Sequence, residues 1–197
     1  MVAKDKRTFS GSVDVSEQGL TKLALEVPVG MLTVQVVESD IVTYRVDVED
    51  NSSSWFFVAT DLDALVLTQQ ITDQVLQLKI DEDDITQQWT VSIPKELALQ
   101  IQVGVGNVEV GGFSQSLKAD IGVGSAWVGV NSTDYDHVSA AVGVGEIQVH
   151  GFEQGDLLKE RVIVSDQLTF TGTGSHQIDI EIGVGDVNLS QQLVSEI

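Results

Sequence analysis

The residues of this chain whose types and spacing come closest to a chemical signature are glycines. One phrase occurs four times, as Val103-Gly-Val-Gly106, Ile121-Gly-Val-Gly124, Val142-Gly-Val-Gly145 and Ile182-Gly-Val-Gly185. A Gly-x-Gly turn cradles phosphate when a third glycine follows, a helix opens there and an acidic residue sits about 20 positions on. Here each copy runs instead into a short alternating stretch: Asn107-Val-Glu-Val110, Ser125-Ala-Trp-Val128, Glu146-Ile-Gln-Val149 and Asp186-Val-Asn-Leu189. Alternation of that kind is strand, not helix. No Gly-Lys-Ser/Thr phosphate loop occurs in the sequence, and nucleotide binding is excluded. Calcium-binding nonapeptide rolls need an Asp after each Gly-x-Gly and half this period. Only Asp186 supplies one, so that reading fails too.

Other reactive groups are equally unconvincing. Asp81-Glu-Asp-Asp84 offers oxygen ligands but not the loop pattern of a helix-flanked calcium site, and reads as a solvated acidic turn. His137, His150 and His176 lie far apart, in no metal-ligating pair. No Gly-x-Ser-x-Gly elbow presents a nucleophilic serine, there is no cysteine, and no carboxylate pair stands out among 30 acids. No residue is assigned a catalytic, cofactor-binding or metal-binding role, and the expectation is a protein that is not an enzyme.

Charge narrows the partners. Thirty acids against ten Lys and Arg give a formal charge of −20. That field repels phosphate backbones and anionic lipid, disfavouring nucleic acid, and favours cationic partners, divalent ions or plain solubility. No apolar run approaches the roughly 20 residues that span a bilayer. Met1-Val-Ala-Lys-Asp-Lys-Arg7 lacks the apolar core of a signal peptide, so the chain is cytoplasmic or follows a signal already removed.

The elements that must position these residues are strands. Val, Ile and Leu dominate a 42% hydrophobic composition with only two prolines. Residues 1–8 are polar and expected to fray. Alternation begins at Phe9, turns at Glu17-Gln-Gly19 and resumes at Leu23–Val29, with Pro28 expected at an edge or corner. Gly30 and Leu32–Val36 render the later phrase loosely. Strand patterns continue over 41–48, 65–67, 75–80 and 89–93, with a loop at 49–54 and an aromatic cluster at Trp55-Phe-Phe-Val58. Only Asp156–Arg161 offers a turn of helix. The chain divides into irregular strands over 9–96 and regular repeats over 97–190, within one β-repeat domain spanning 9–197.

Gly104, Gly122, Gly143 and Gly183 follow one another at 18, 21 and 40 residues, so a degenerate copy is expected within 161–170. A unit of about 20 residues suits one coil of a stacked β-repeat, a β-solenoid; a β-sandwich is the alternative. Glycine suits the corners because it accepts positive φ and close backbone approach. Stacked coils would then build inward columns, Val105, Val123, Val144 and Val184 in one, Val108, Ala126, Ile147 and Val187 in the other. Glu109, Trp127, Gln148 and Asn188 would form an outward column. Trp127 breaks its polar run, either as a recognition anchor or beneath a covering loop.

Ile93-Pro94-Lys95, Leu97-Ala-Leu-Gln-Ile101 and the repeated Gly-x-Gly-(Asn/Asp/Glu) runs resemble the bacterial putative-adhesin family of β-strand repeats, a toastrack-like domain of unknown function. The resemblance is strongest over 89–189. It implies a β-solenoid or prism-like stack in the periplasm or at the cell surface, acting in adhesion, envelope-stress sensing or scaffolding without a cofactor. The partner expected is a protein or glycan, with Trp127, Glu109, Gln148 and Trp55 as contacts. The alternatives are a self-assembling structural protein, through ends such as Val2, Phe9 and Leu193-Val194, and a carbohydrate-active β-helix enzyme.

Overall fold

Long alternating runs interrupted by Gly-x-Gly become, in the computed structural model, strands of up to 16 residues that continue straight through the glycines. The structure describes residues 6–50, 60–152 and 155–192. The first six strands are β1 (Lys6–Asp14), β2 (Lys22–Val37), β3 (Ile41–Asp50), β4 (Thr68–Thr72), β5 (Val75–Lys79) and β6 (Ile85–Pro94). The next six are β7 (Ala98–Phe113), β8 (Leu117–Val130), β9 (Tyr135–His150), β10 (Asp156–Val162), β11 (Ser165–Thr171) and β12 (His176–Gln191). All belong to one 12-stranded sheet in the order β1-β3-β6-β2-β7-β8-β12-β9-β11-β10, with β4 and β5 branching from β2. The chain is all-β.

Each long strand has two limbs joined at the glycine phrase, and the alternation slips by one residue there. In β7, Leu99, Ile101 and Val103 are buried before the joint and Val108 and Val110 after it. The slip turns both limbs toward the same core. It also lets the sheet divide. The first limb of β2 pairs with β5, through Lys22–Glu26, and the second with β6, from Gly30 onward. Pro28 falls in the gap between those partners, where its missing N–H costs no ladder bond. That is the corner position expected of it.

Two ladders of close contacts explain why the phrase needs both glycines. The second glycines, Gly30, Gly106, Gly124, Gly185 and Gly145, have φ between +143° and +154°, a region open to glycine alone. A Cβ at Gly124 would lie 1.6 Å from the carbonyl oxygen of Gly106, and one at Gly185 as near to that of Gly124. The first glycines lack the unusual φ, yet a Cβ at Gly122 would come within 2.5 Å of Gly104 O. The residue after the phrase mends the ladder: Asn107 Oδ1 accepts from Ser125 N at 3.1 Å and Asp186 Oδ1 from Glu146 N at 2.9 Å.

Several expectations are corrected. The column Val105, Val123, Val144 and Val184 forms, but it faces solvent, each valine 47–50% exposed. Simple alternation carried through the glycines misses the slip. The other column, Val108, Ala126, Ile147 and Val187, is buried as read. Spatial order also departs from chain order, because β12 lies between β8 and β9, parallel to both. The 40-residue interval holds no degenerate parallel copy over 161–170; it holds an antiparallel hairpin, β10–β11, laid against the first limb of β9. Residues 156–161 are strand rather than helix. The helical turn is Val15–Gln18, where Asp14 caps Glu17 N and Gly19 closes with φ 59°. Residues 65–67 are not strand, although a 3₁₀ turn over Leu62–Ala64 precedes them, and Lys6–Thr8, expected to fray, pair with β3. Glu49 and Asp50 extend β3, and the rest of the expected loop lies outside the described residues.

Candidate binding face

The outward column lies on the second limbs. Its register runs Ser10–Arg45–Thr90–Thr33–Glu109–Trp127–Asn188–Gln148 across eight strands. Alternation puts these side chains on the face opposite the core, and all are exposed or half-buried. Trp127 is 46% exposed, with no covering loop or strand among the described residues. Two residues along β8 is Gly129, and on the neighbouring β7 is Gly111, at which an added Cβ would meet nothing within 4 Å. With no side chains beside it there, the indole stands above a flat polar surface. Glu109 and Asn188 flank it in register, and Asn188 Nδ2 approaches Gln148 Oε1 at 3.5 Å.

Charge on this face is sorted. Arg45, the one cation of the row, is held by Asp47, Nη2 to Oδ1 at 2.8 Å. The hydrogen bonds from Arg45 and from Thr8 Oγ1 hold the Asp47 carboxyl below its ordinary value. Near Trp127 stand the carboxylates Glu109, beside it, and Asp186 and Glu146 in the row nearer the joint, with Glu146 paired to Arg161 Nη1 at 3.6 Å. The face can stack a flat or aliphatic group on the indole and offer it amide and carboxylate hydrogen bonds.

A second feature lies on the first limbs. A groove of about 760 Å³ crosses the strands over Gly104, Gly122, Gly183 and Gly143. Its ends are formed by Asp81 and Asp83 on one side and Ser165 and Gln167 on the other. The acidic turn therefore belongs to the groove wall. Among the described residues no three acidic or histidine side chains converge to hold a metal ion.

Asp134, Ser175 and His176 meet in space, although sequence spacing did not join them. Ser175 Oγ donates to Asp134 Oδ2 at 2.6 Å, and His176 Nε2 lies 3.5 Å from that same oxygen. A hydrolytic triad needs the imidazole between serine and carboxylate, so that it can take the hydroxyl proton. Here the carboxylate is the hub and the serine proton points away from the base. His137 and His150 are exposed. Trp55, with its neighbours Phe56 and Phe57, lies outside the described residues, as do Val2 and Leu193-Val194.

Buried chemistry missed by sequence reading is structural. Asp166 is fully buried between the hairpin and β9, accepting from Ile147 N at 2.9 Å and pairing with Lys159 Nζ at 3.0 Å. Burial pushes its carboxyl up, but those two partners together with the charge of Arg161 outweigh it and hold the group below its ordinary value. Gln87, also buried, receives Trp89 Nε1 at 2.9 Å and donates to Ile80 O at 3.0 Å. Neither had a signal in sequence beyond a polar residue at an inward position.

With this geometry in hand, the chain can be set beside solved structures. The likeness is to putative adhesins. One is a putative cell adhesion protein from Clostridium sporogenes, 14% identical, TM-score 0.48, covering 95% of this chain and 100% of that one. A second, from Bacteroides fragilis, is 12% identical with TM-score 0.39, covering 94% and 98%. A third, from Parabacteroides distasonis, is 13% identical with TM-score 0.30, covering 95% and 76%. These descriptions agree with the resemblance read from the repeats. No family model and no curated protein matches the chain. Likenesses this distant leave the functional reading to the chain's own surface.

Proposed function

We propose that this chain is a non-enzymatic binding domain, a single stack of β-repeat coils, that serves adhesion or scaffolding in the periplasm or at the surface of a bacterial cell. One observation carries the reading: an indole stands 46% exposed within a polar row built by eight strands, flanked by Glu109 and Asn188. Tryptophan exposed on a rigid sheet loses little entropy on binding and is enriched among residues that dominate interfaces. Glu109 and Gln148 supply hydrogen bonds around it, and the partner is a protein or a glycan. Trp55 is assigned a second contact on its aromatic character alone. Solenoid stacking of the repeats suits this role, because it makes long flat faces of side chains in register.

The test is a binding panel of immobilised extracellular proteins and glycans, read with wild type and Trp127→Ala. The expected outcome is a retained partner whose affinity falls about 30-fold in the variant, a loss of about 2 kcal/mol. Equal retention by both forms on every surface would sink the assignment. Turnover of a polysaccharide would instead favour an enzyme.

A further inference from the structure

The valine stripe has no structural explanation. Val29, Val105, Val123, Val184 and Val144 stand in register on five adjacent strands, and the last four are 47–50% exposed. They bury no core, and threonine would serve the same extended backbone. Contiguous exposed apolar surface on a soluble protein marks an interaction site. Next to the stripe, across the first-glycine row, runs the groove of about 760 Å³. Glu26, Gln102, Asp120 and Glu181 stand in register along it, and Asp81 and Asp83 join them at its end. No lysine or arginine lines it.

Carboxylates directly opposite on neighbouring strands repel. Asp120 and Glu181 are such a pair, and neither makes an ion pair among the described residues. Ion-paired cations stand at the two ends of the surface, and Lys118 lies one row beyond Asp120 on β8, beside Asp179 and outside the groove lining. Lys79 Nζ lies 3.9 Å from Glu26, and Arg161 Nη1 lies 3.6 Å from Glu146 beyond the stripe. The middle is thus aliphatic on one side and, within the groove lining, carboxylate without a cation on the other.

That combination selects its occupant. A second copy of this chain would bring the same carboxylate rows and a further −20 charge, and anionic lipid or nucleic acid would be repelled likewise. We infer that the groove and its valine lip bind an extended segment of a partner protein rich in lysine or arginine and in aliphatic residues. Its cations reach Asp120 and Glu181 over the side-chain-free glycine floor, and its aliphatic groups cover the valines. Five strands at about 4.8 Å spacing span about 19 Å, the length of about six extended residues. The site lies on the first limbs, apart from the Trp127 row on the second, and goes beyond that contact.

Fluorescence anisotropy with three labelled octapeptides tests it: alternating Lys-Leu, all-Lys and alternating Glu-Leu. The Lys-Leu peptide is expected to bind about tenfold more tightly than the all-Lys peptide, more weakly as salt rises, with Glu-Leu not binding. Asp120→Asn with Glu181→Gln should weaken both cationic peptides about tenfold. Val123→Thr with Val184→Thr should weaken only the Lys-Leu peptide, by about fivefold. Trp127→Ala should change none of these, so failure of the Trp127 contact and failure of this groove are told apart. Equal affinity for the Lys-Leu and all-Lys peptides, or indifference to either double variant with the fold intact by circular dichroism, would overturn the inference.

Discussion

A methyl group added at Gly124 would place its carbon 1.6 Å from Gly106 O, on a backbone whose φ of +144° already excludes other residues. Neither the rung above nor the rung below can move without breaking its own contact, so Gly124→Ala should cost more than about 3 kcal/mol or prevent folding. Gly111→Ala, into open space, should change stability by less than about 0.5 kcal/mol. Urea midpoints of the two variants check the contrast. Asp166 makes the second residue-scale prediction. Its folded carboxyl sits below its unfolded value of about 4, so the stability it confers is fully present above about pH 4 and is lost as pH falls through the depressed folded value. Asp166→Asn should cost about 1–3 kcal/mol at neutral pH and flatten the acid limb of the stability curve. An acid limb as steep as wild type's would show that other carboxylates set it.

Among the elements, the hairpins are where local sequence disagrees with the fold. The two-residue loop of β10–β11 puts Ile163 at φ 53°, a β-branched residue in a conformation built for glycine. Ile163 is also 89% exposed, so it recovers nothing by packing. Ile163→Gly should stabilise by about 1 kcal/mol and raise the melting temperature by a few degrees. This disagreement is why the hairpin escaped sequence reading: Arg161–Val164 carries no turn signal, and Asp156–Arg161 mixes leucine and charge as a helix would. The hairpin's place, by contrast, is fixed by bonds to β9, since Gly145 N donates to Val164 O at 3.0 Å and buried Asp166 accepts from Ile147 N. Strand β10 leaves the sheet with an open edge, all seven residues exposed. Two-fold antiparallel pairing of that edge opposes residues of like parity. It therefore sets Lys159 against Lys159, or Glu160 against Glu160 with Lys159 against Arg161. These charges act as a guard against self-pairing. Glu160→Thr with Arg161→Thr should make light scattering rise with concentration where wild type stays flat.

For the whole molecule, the legible part was the pattern and the illegible part was its phase and order. Period-two alternation around Val108, Ala126, Ile147 and Val187 read correctly because nothing interrupts it after the joint. The same rule failed at Val105, Val123, Val144 and Val184, because a glycine with φ near +150° resets which side faces inward. Repeat spacing exposed the repeated strands but not their order, because β12 enters between β8 and β9 instead of following chain order. Of the candidate site, the column of Glu109, Trp127, Gln148 and Asn188 was legible, and the exposure of Trp127 was not. That exposure follows from small neighbours, Gly129 two residues along the same strand and Gly111 on β7, and only the pairing of β7 with β8 brings Gly111 near.

Trp127 therefore carries the account, and its accessibility with and without a partner is the most direct measurement. A Trp55→Phe background leaves Trp89, fully buried, and Trp127, 46% exposed. Acrylamide quenching should then resolve one accessible and one protected emitter, and saturating with a partner retained from the binding panel should protect the accessible one. If the accessible emission stays fully quenchable while that partner is bound, the face centred on Trp127 is not where this protein makes contact.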